Sequence, residues 1–410
     1  MDEIEDFPYE FTKPFYLCFN LLKRCNIGFF DDNVPVFKKY WRFFFIIPFV
    51  LIHYISVSVY MSRVFTNEIK ISELAFMVPV YLILTQGILK AAVIISRKRD
   101  TADLIKELGS MWRTDNLNEY QTKKKNIFLK RLNLGHAVFY WGSMIATWQN
   151  LLAPLAFTLF KNILYEDDTE FLLPLGCVYP FDPVKNWMRY IAMYAFQVYT
   201  TFRYVYVYIG TEFVMITLCA HLSTEFALLR EDLKHVKSRK DKITLKNEMI
   251  ISADNSGNSL KNVIRNHQKL IHLTCSLNNI FSVLVFIDLL FATVIMCFFG
   301  FGATVAHGAV DIANNFIAVL ALLLPIYILC YYAELLKVES SGIAESAYDN
   351  VWYNYGTHYQ RAIRFIILRS QRPCCLTSLN YVPITLNTFT KVVSTTWSYF
   401  SLARSLYSNN

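Results

Sequence analysis

The side chains of this 410-residue chain best equipped for chemistry are eight histidines, nine cysteines and a few charged residues set in apolar runs. His53, His136, His221, His235, His267, His272, His307 and His358 include no His-x-x-x-His pair beside a carboxylate, so no metal site is expected. No phosphate loop, dinucleotide fingerprint or Gly-x-Ser-x-Gly elbow is present. Cys18, Cys25, Cys177, Cys219, Cys275, Cys297, Cys330, Cys374 and Cys375 are scattered, and no disulfide framework is expected. The adjacent Cys374 and Cys375 are open to two readings, palmitoylation or a plain buried pair. The chain is not expected to be an enzyme or to hold a metal or cofactor.

The charged residues inside apolar runs are His53, Lys90, Arg203, Glu212, Asp288, Glu334 and Lys391. Such groups are costly in hydrocarbon unless they face protein or water. Lys90, Glu212 and Glu334 lie toward the inner ends of their runs and are read as snorkelling. Arg203 and Asp288 lie deeper and are candidates to pair with each other. The last apolar run carries Lys391 and Arg404 together with Thr385, Thr388, Ser394, Thr395, Ser398, Ser401 and Ser405, which is too polar to face lipid. Two explanations stand for it: a buried central helix, or the wall of a water-filled conduit whose hydroxyls replace lost hydration.

The elements that hold these residues are seven apolar stretches, roughly 43–61, 74–96, 135–160, 190–218, 277–302, 315–336 and 382–406. Each is long enough to cross a bilayer as a helix. Together with 54% hydrophobic and 16% aromatic residues they predict an all-α membrane protein of seven spans in one domain, 1–410. Lys and Arg alternate between connections: six before the first span, ten each in the second and fourth loops, and none around Thr304–Asn314. Because cations stay on the cytoplasmic side, the N-terminus is expected inside and the C-terminus outside. The net charge of +8 is spread over these juxtamembrane loops, which fits membrane lipid headgroups and no nucleic acid.

Phe11–Phe30 is apolar and aromatic but short, and reads as an interfacial helix or a re-entrant piece. The helices of spans two to five are expected to continue into the cytoplasm, with a flexible turn at Ala253–Ser259. Residues 340–372 read as a cytoplasmic anchor helix ended by Pro373. A seven-helix G-protein-coupled receptor is the alternative reading. It requires the opposite orientation, an acidic-Arg-Tyr end to span three and Asn-Pro-x-x-Tyr in span seven, none of which is met. A transporter requires matched breaks in two halves, and Pro48, Pro79, Pro154 and Pro325 show no such symmetry.

Several local signatures resemble the insect odorant receptor family. They are Leu173-Pro174-Leu175 with Tyr179-Pro180-Phe181-Asp182, then Tyr190, Tyr194 and Gln197; His221-Leu222 with Leu228, Leu229 and Leu233; and Asn266-His267-Gln268-Lys269-Leu270-Ile271. Ala347-Tyr348 and Trp352, Arg369-Ser370-Gln371-Arg372-Pro373, and Phe389, Val392 and Ser398-Tyr399-Phe400 complete the set. The resemblance covers nearly the whole chain. It implies a subunit of a ligand-gated, non-selective cation channel, assembled with a shared co-receptor into a heterotetramer in the plasma membrane of a sensory neuron dendrite. The Thr-Tyr signature of the related gustatory receptors, another alternative, is missing: Tyr399 is followed by Arg404-Ser405-Leu406. The fourth loop is shorter than the co-receptor's, so the resemblance points to an odorant-binding tuning subunit.

The family's pocket lies in the outer half of the bundle, among spans two, three, four and six. Transferred here, that implies Met77, Val80, Tyr81 and Leu84 of span two and Ser143, Ala146, Thr147, Trp148 and Asn150 of span three. Span four adds Tyr190, Tyr194, Gln197 and Val198, and span six adds Phe316 and Leu320. A small volatile odorant would gain affinity mainly from apolar burial, at about 25 cal/mol per Å². An ester or aldehyde oxygen would accept a hydrogen bond from Tyr194, Thr147 or Asn150. On the last span, Tyr399, Leu402, Ser405 and Leu406 fall on the expected pore stripe, with Leu402 as a hydrophobic constriction and Ser405 as a polar ring position.

Overall fold

Apolar runs that must satisfy every backbone group within lipid become helices, and helices dominate the computed structural model. It describes residues 6–30, 41, 43–63, 71–165, 172–183, 186–236, 256–305 and 308–408. Among these are ten α-helices: α1 (Tyr9–Arg24), α2 (Phe43–Ser62), α3 (Ile71–Ser96), α4 (Lys98–Met111), α5 (Glu119–Tyr165), α6 (Trp187–His235), α7 (Ser256–Val305), α8 (Ala309–Tyr348), α9 (Thr357–Ser370) and α10 (Leu386–Ser408). A two-stranded hairpin, β1 (Thr377–Ser378) and β2 (Val382–Pro383), precedes α10.

Four described helical segments are long and apolar enough to cross a membrane on length and composition alone: Met77–Ser96, Trp187–His235, Leu260–Val305 and Ile312–Tyr348. Ile46–Ser62 is a shorter apolar helix. The expected third and seventh spans lie on α5 and α10. α5, α6 and α7 run unbroken well past the spans, whereas α3 ends at Ser96 and the chain re-enters helix as α4. Residues 253–255 of the expected turn lie outside the described residues, and Ser256–Asn258 form the first turn of α7.

Two boundaries differ from expectation. The segment 340–372 is not one helix. α8 carries through to Tyr348, a 3₁₀ turn at Trp352–Asn354 breaks the direction, and α9 follows. Asn350 drives the break: its buried amide caps Leu233 and Val236 carbonyls of α6 at 2.8 and 2.9 Å. Span seven begins at Leu386 rather than 382, because 377–383 form the hairpin, turned by Leu379 and Asn380 with φ of 47° and 63°. Asn278 of α7 pins that hairpin by accepting from the Thr377 N–H at 2.7 Å and its hydroxyl at 2.8 Å.

α6 is the axis of the bundle, with α8, α1, α5 and α7 packed along it. Every residue from Ile209 to Leu229 is buried, polar ones such as Glu212, His221 and Glu225 included. α1 supplies one cover. Its Phe11, Phe15, Cys18 and Leu22 recur every three to four residues and are all fully buried. It ends where Asn26 turns left-handed (φ 62°) and the Ile27 N–H caps the Leu22 carbonyl at 2.9 Å. The interfacial helix expected at Phe11–Phe30 is therefore packed on the bundle. His221 of α6 meets the Phe11 carbonyl at 3.0 Å and lies 4.8 Å from the Phe11 ring centroid.

At the cytoplasmic end, charged side chains lock the helix extensions together. Arg113 bridges Glu225 and Asp232 of α6, and Glu339 of α8 receives Lys124 at 3.0 Å and Arg230 at 2.9 Å. Cys374 is buried, its N–H donating to Ser340 Oγ at 3.0 Å, and burial pushes its thiol up to about 11. The plain buried reading holds for Cys374.

α1 packs tightly against α6, where a Cβ on Gly210 would lie 2.6 Å from Leu22 Cγ. Gly210→Val is expected to overpack this seam by about 1–3 kcal/mol. It should lower the thermal unfolding midpoint in detergent, and Leu22→Ala in the same chain should recover most of the loss; an unchanged midpoint in Gly210→Val would contradict the packing.

Candidate functional site

Lys90 of α3 points into the bundle, with Nζ 2.5 Å from Glu212 Oε1 of α6 and 2.5 Å from Asp288 Oδ1 of α7. One helical turn away on each helix, Gln86 donates Nε2 to Asp288 Oδ1 at 3.0 Å, and the Tyr208 ring centroid lies 3.9 Å from Lys90 Nζ. Lys90 is 0% exposed. An unpaired ammonium in such a place would cost several kcal/mol, and only close partners offset that. The cation–π contact with Tyr208 adds about 2 kcal/mol when desolvated.

This arrangement corrects two expectations. Lys90 and Glu212 do not snorkel, because carboxylate partners lie within reach inside the bundle. Arg203 and Asp288 do not pair: Arg203 donates to the Arg24 backbone carbonyl and stands 4.4 Å over the Tyr199 ring. Glu334, partly exposed, sits 3.8 Å from Lys337 of the next turn.

Beside Gln86 and Tyr208 lies a partly open cavity of about 150 Å³ lined by five helices. Ile83 and Gln86 come from α3, and Ser143, Ala146, Thr147 and Asn150 from α5. Tyr204, Val205 and Tyr208 come from α6, Phe299 from α7, and Ala318, Ala321 and Leu322 from α8. A dry cavity of this order holds a single aromatic ring. A second cavity of about 200 Å³ lies on the other side of Tyr204, lined almost wholly by apolar residues of α2 and α3 with Arg203 at its edge. Tyr204 is fixed between the two by donating to the Val50 carbonyl at 3.1 Å. Of these two, the first joins apolar walls to several polar groups, the usual build of a small-molecule site.

Ser143, Ala146, Thr147 and Asn150 thus line the cavity, and the other expected ligand residues stand elsewhere. Met77 and Leu84 are buried with Val57 and Tyr204, where Val80 and Tyr81 pack against them, joining α2 to α3. The Tyr81 hydroxyl lies 3.0 Å from that of Tyr54. Tyr190 donates to the Leu172 carbonyl at 3.0 Å and Tyr194 to the Leu151 carbonyl. Gln197 is fully buried and clasps Leu175 through both its N–H and its carbonyl, at 3.1 Å each. Tyr190 and Gln197 fasten the connection 172–183 to the end of the bundle, and Tyr194 ties α6 to α5. Val198 is half-buried, and Trp148, 45% exposed, meets the Phe202 ring at a tilt, 5.0 Å between centroids. Phe316 and Leu320 are 62% and 49% exposed, on the face of α8 opposite Ala318 and Leu322.

Gln86, Tyr204 and Tyr208 escaped the sequence reading, although a signal existed. Gln86 precedes Lys90 by four residues, and Tyr204, Tyr208 and Glu212 recur at the same spacing, so each set shares the face that carries the buried charge.

The last helix packs Val392 and Phe389 inward, with Phe389 5.5 Å from Tyr327 of α8. Lys391, Ser394, Thr395, Ser398, Tyr399, Ser401, Leu402, Arg404 and Ser405 are exposed. α10 is therefore not the buried centre of this bundle. The side chain of Leu406 lies outside the described residues. Among the described residues no group of three His, Cys, Asp or Glu is placed to hold a metal ion.

The pattern that defines the family described as 7tm Odorant receptor matches residues 70–397. The chain belongs to that family. It is 26% identical over 325 residues to Odorant receptor 85c of Drosophila melanogaster, covering 78% of this chain and 79% of that one. It is 36% identical to Putative odorant receptor 92a of the same species over 148 residues, 36% of each chain. Its fold matches the insect olfactory receptor OR5 from Machilis hrabei, solved in complex with eugenol, with a TM-score of 0.76 at 14% identity, over 96% of this chain and 98% of that chain. The seven apolar stretches are thus the seven helices of an insect odorant receptor, a multi-pass membrane protein of olfaction and not an enzyme.

Lys90→Met is expected to leave Glu212 and Asp288 buried without their cation, a loss of about 3–5 kcal/mol. Surface labelling of this odorant receptor should fall severely, and Glu212→Gln with Asp288→Asn on the same chain should restore much of it. Normal surface amounts of the single Lys90→Met variant would show that the cluster does not hold the bundle.

Proposed function

We propose that this chain is the odorant-binding subunit of a ligand-gated, non-selective cation channel, working with a co-receptor in a heterotetramer. The observation that carries the reading is the cavity shared by α3, α5, α6, α7 and α8, whose lining combines polar and aromatic side chains. A site of this kind suits a small, mostly apolar volatile molecule held by burial and oriented by one or two hydrogen bonds. Eugenol, the ligand of the structurally similar receptor from Machilis hrabei, is a molecule of that class.

The hydroxyl-bearing outer face of α10 supports a pore-lining role for Tyr399, Leu402 and Ser405, because an ion path needs polar groups to replace hydration. Exposed Tyr348, Tyr353, Phe365 and Leu368 beneath the bundle support an anchor face that other subunits cover. The loop charges support an N-terminus inside and a C-terminus outside. Binding opens the pore only if the ligand favours the open arrangement of these helices.

Expression with and without an insect odorant co-receptor, recorded against an odorant panel, tests this reading. Cation current evoked by odorant is expected only with the co-receptor. Ala146→Trp, which fills the cavity, should raise the half-activating odorant concentration at least tenfold with surface amount unchanged. Current that a G-protein blocker abolishes would contradict the channel reading.

A further inference from the structure

The cavity's polar groups are unevenly committed. Asp288 Oδ1 takes Lys90 Nζ at 2.5 Å and Gln86 Nε2 at 3.0 Å. A carboxylate only accepts, so the Gln86 amide must turn its nitrogen toward Asp288 and keep its oxygen for another partner. Thr147 gives its single hydroxyl proton to the Ser143 carbonyl at 2.8 Å. Asn150 gives one amide proton to the Ala146 carbonyl at 2.9 Å and keeps a second. Gln86, Thr147 and Asn150 all line the cavity, and each is left with an acceptor oxygen. The hydroxyls of Ser143 and Tyr208 serve in either sense.

We infer that this cavity selects odorants that donate a hydrogen bond, small alcohols and phenols, over ethers, esters and ketones of the same shape. The inference rests on the reading of the cavity as the odorant site. A ligand hydroxyl placed against Gln86 Oε1 satisfies an acceptor already oriented by Asp288. An ester oxygen in the same place meets another lone pair and leaves that acceptor unpaired in a dry site, which is how sites built for a hydroxyl reject analogues that lack it. An ester or aldehyde oxygen is therefore the disfavoured partner: the Thr147 proton is spent within its own helix and Tyr194 is spent on Leu151, which leaves one Asn150 N–H among the three donors considered from sequence.

The test uses the full chain co-expressed with the co-receptor and a matched panel: propanol to hexanol and simple phenols, each with its O-methyl ether and its acetate ester. The alcohol or phenol is expected to activate at about tenfold lower concentration than its partners. Gln86→Leu should remove that gap, and Asp288→Asn, which frees the Gln86 amide to turn either way, should narrow it, each compared at equal surface amount. Ethers or esters as potent as the alcohols, or a gap that survives Gln86→Leu, overturn the inference. Ala146→Trp separates it from the reading it rests on. If responses survive that filling, or if the whole panel is silent, the cavity reading falls as well; if filling abolishes responses and the parent shows no gap, only the donor rule falls.

Discussion

A lysine buried in a membrane-spanning bundle must find negative charge, and Lys90 finds it on two other helices at once. The requirement fixes α3, α6 and α7 against each other in depth and rotation. A slip of one residue on any of them would turn Lys90, Glu212 or Asp288 toward lipid, where each is expensive. Apolar packing alone tolerates such slips, because lipid is as apolar as a leucine. Specificity of this kind is the best-supported use of buried ionic groups. The cavity follows from it. Gln86 and Tyr208 are drawn to the cluster, and the space beside them stays open because α5 and α8 present Ser143, Ala146, Ala318 and Ala321 there, side chains too small to fill it.

Two further devices hold the ends. Tyr190, Tyr194 and Gln197 bind backbone carbonyls of the connection and of α5, closing the bundle over the cavity. At the opposite end Arg113, Arg230, Lys124 and Glu339 tie the helix extensions together, while α1 covers the buried half of α6. The middle of the molecule is thus free to hold a ligand without being the part that keeps the helices assembled. α10 stands apart, packed on α7 and α8 along one face only.

The number, order and approximate limits of the spans were legible, because length and hydropathy carry them directly. Boundaries failed where side chains overrode the pattern: Asn350 breaks the helix after Tyr348, and the hairpin before α10 depends on Asn278, far away in sequence. Of the residues lining the cavity, only those on α5 were legible. Gln197 and Tyr194, at the outer ends, resemble ligand contacts by type; in the structure they bond backbone groups of Leu175 in a loop and of Leu151 on α5. On α8 the choice between Phe316 and Ala318 is a matter of helix rotation, which follows from what packs behind. The buried charges held that information, since Lys90 and Glu212 mark the inward faces on which Gln86, Tyr204 and Tyr208 also lie.

The central claim is that the ligand sits deep, against Ala318 and Gln86, and not at the outer ends of the helices. Cysteine protection measures it directly in the co-assembled receptor. Ala318→Cys and Phe316→Cys are each treated with a small thiol reagent, with and without an activating odorant, against the parent chain as background. Odorant should slow modification at 318 and leave 316 unaffected. Protection at 316 with none at 318 would contradict the account.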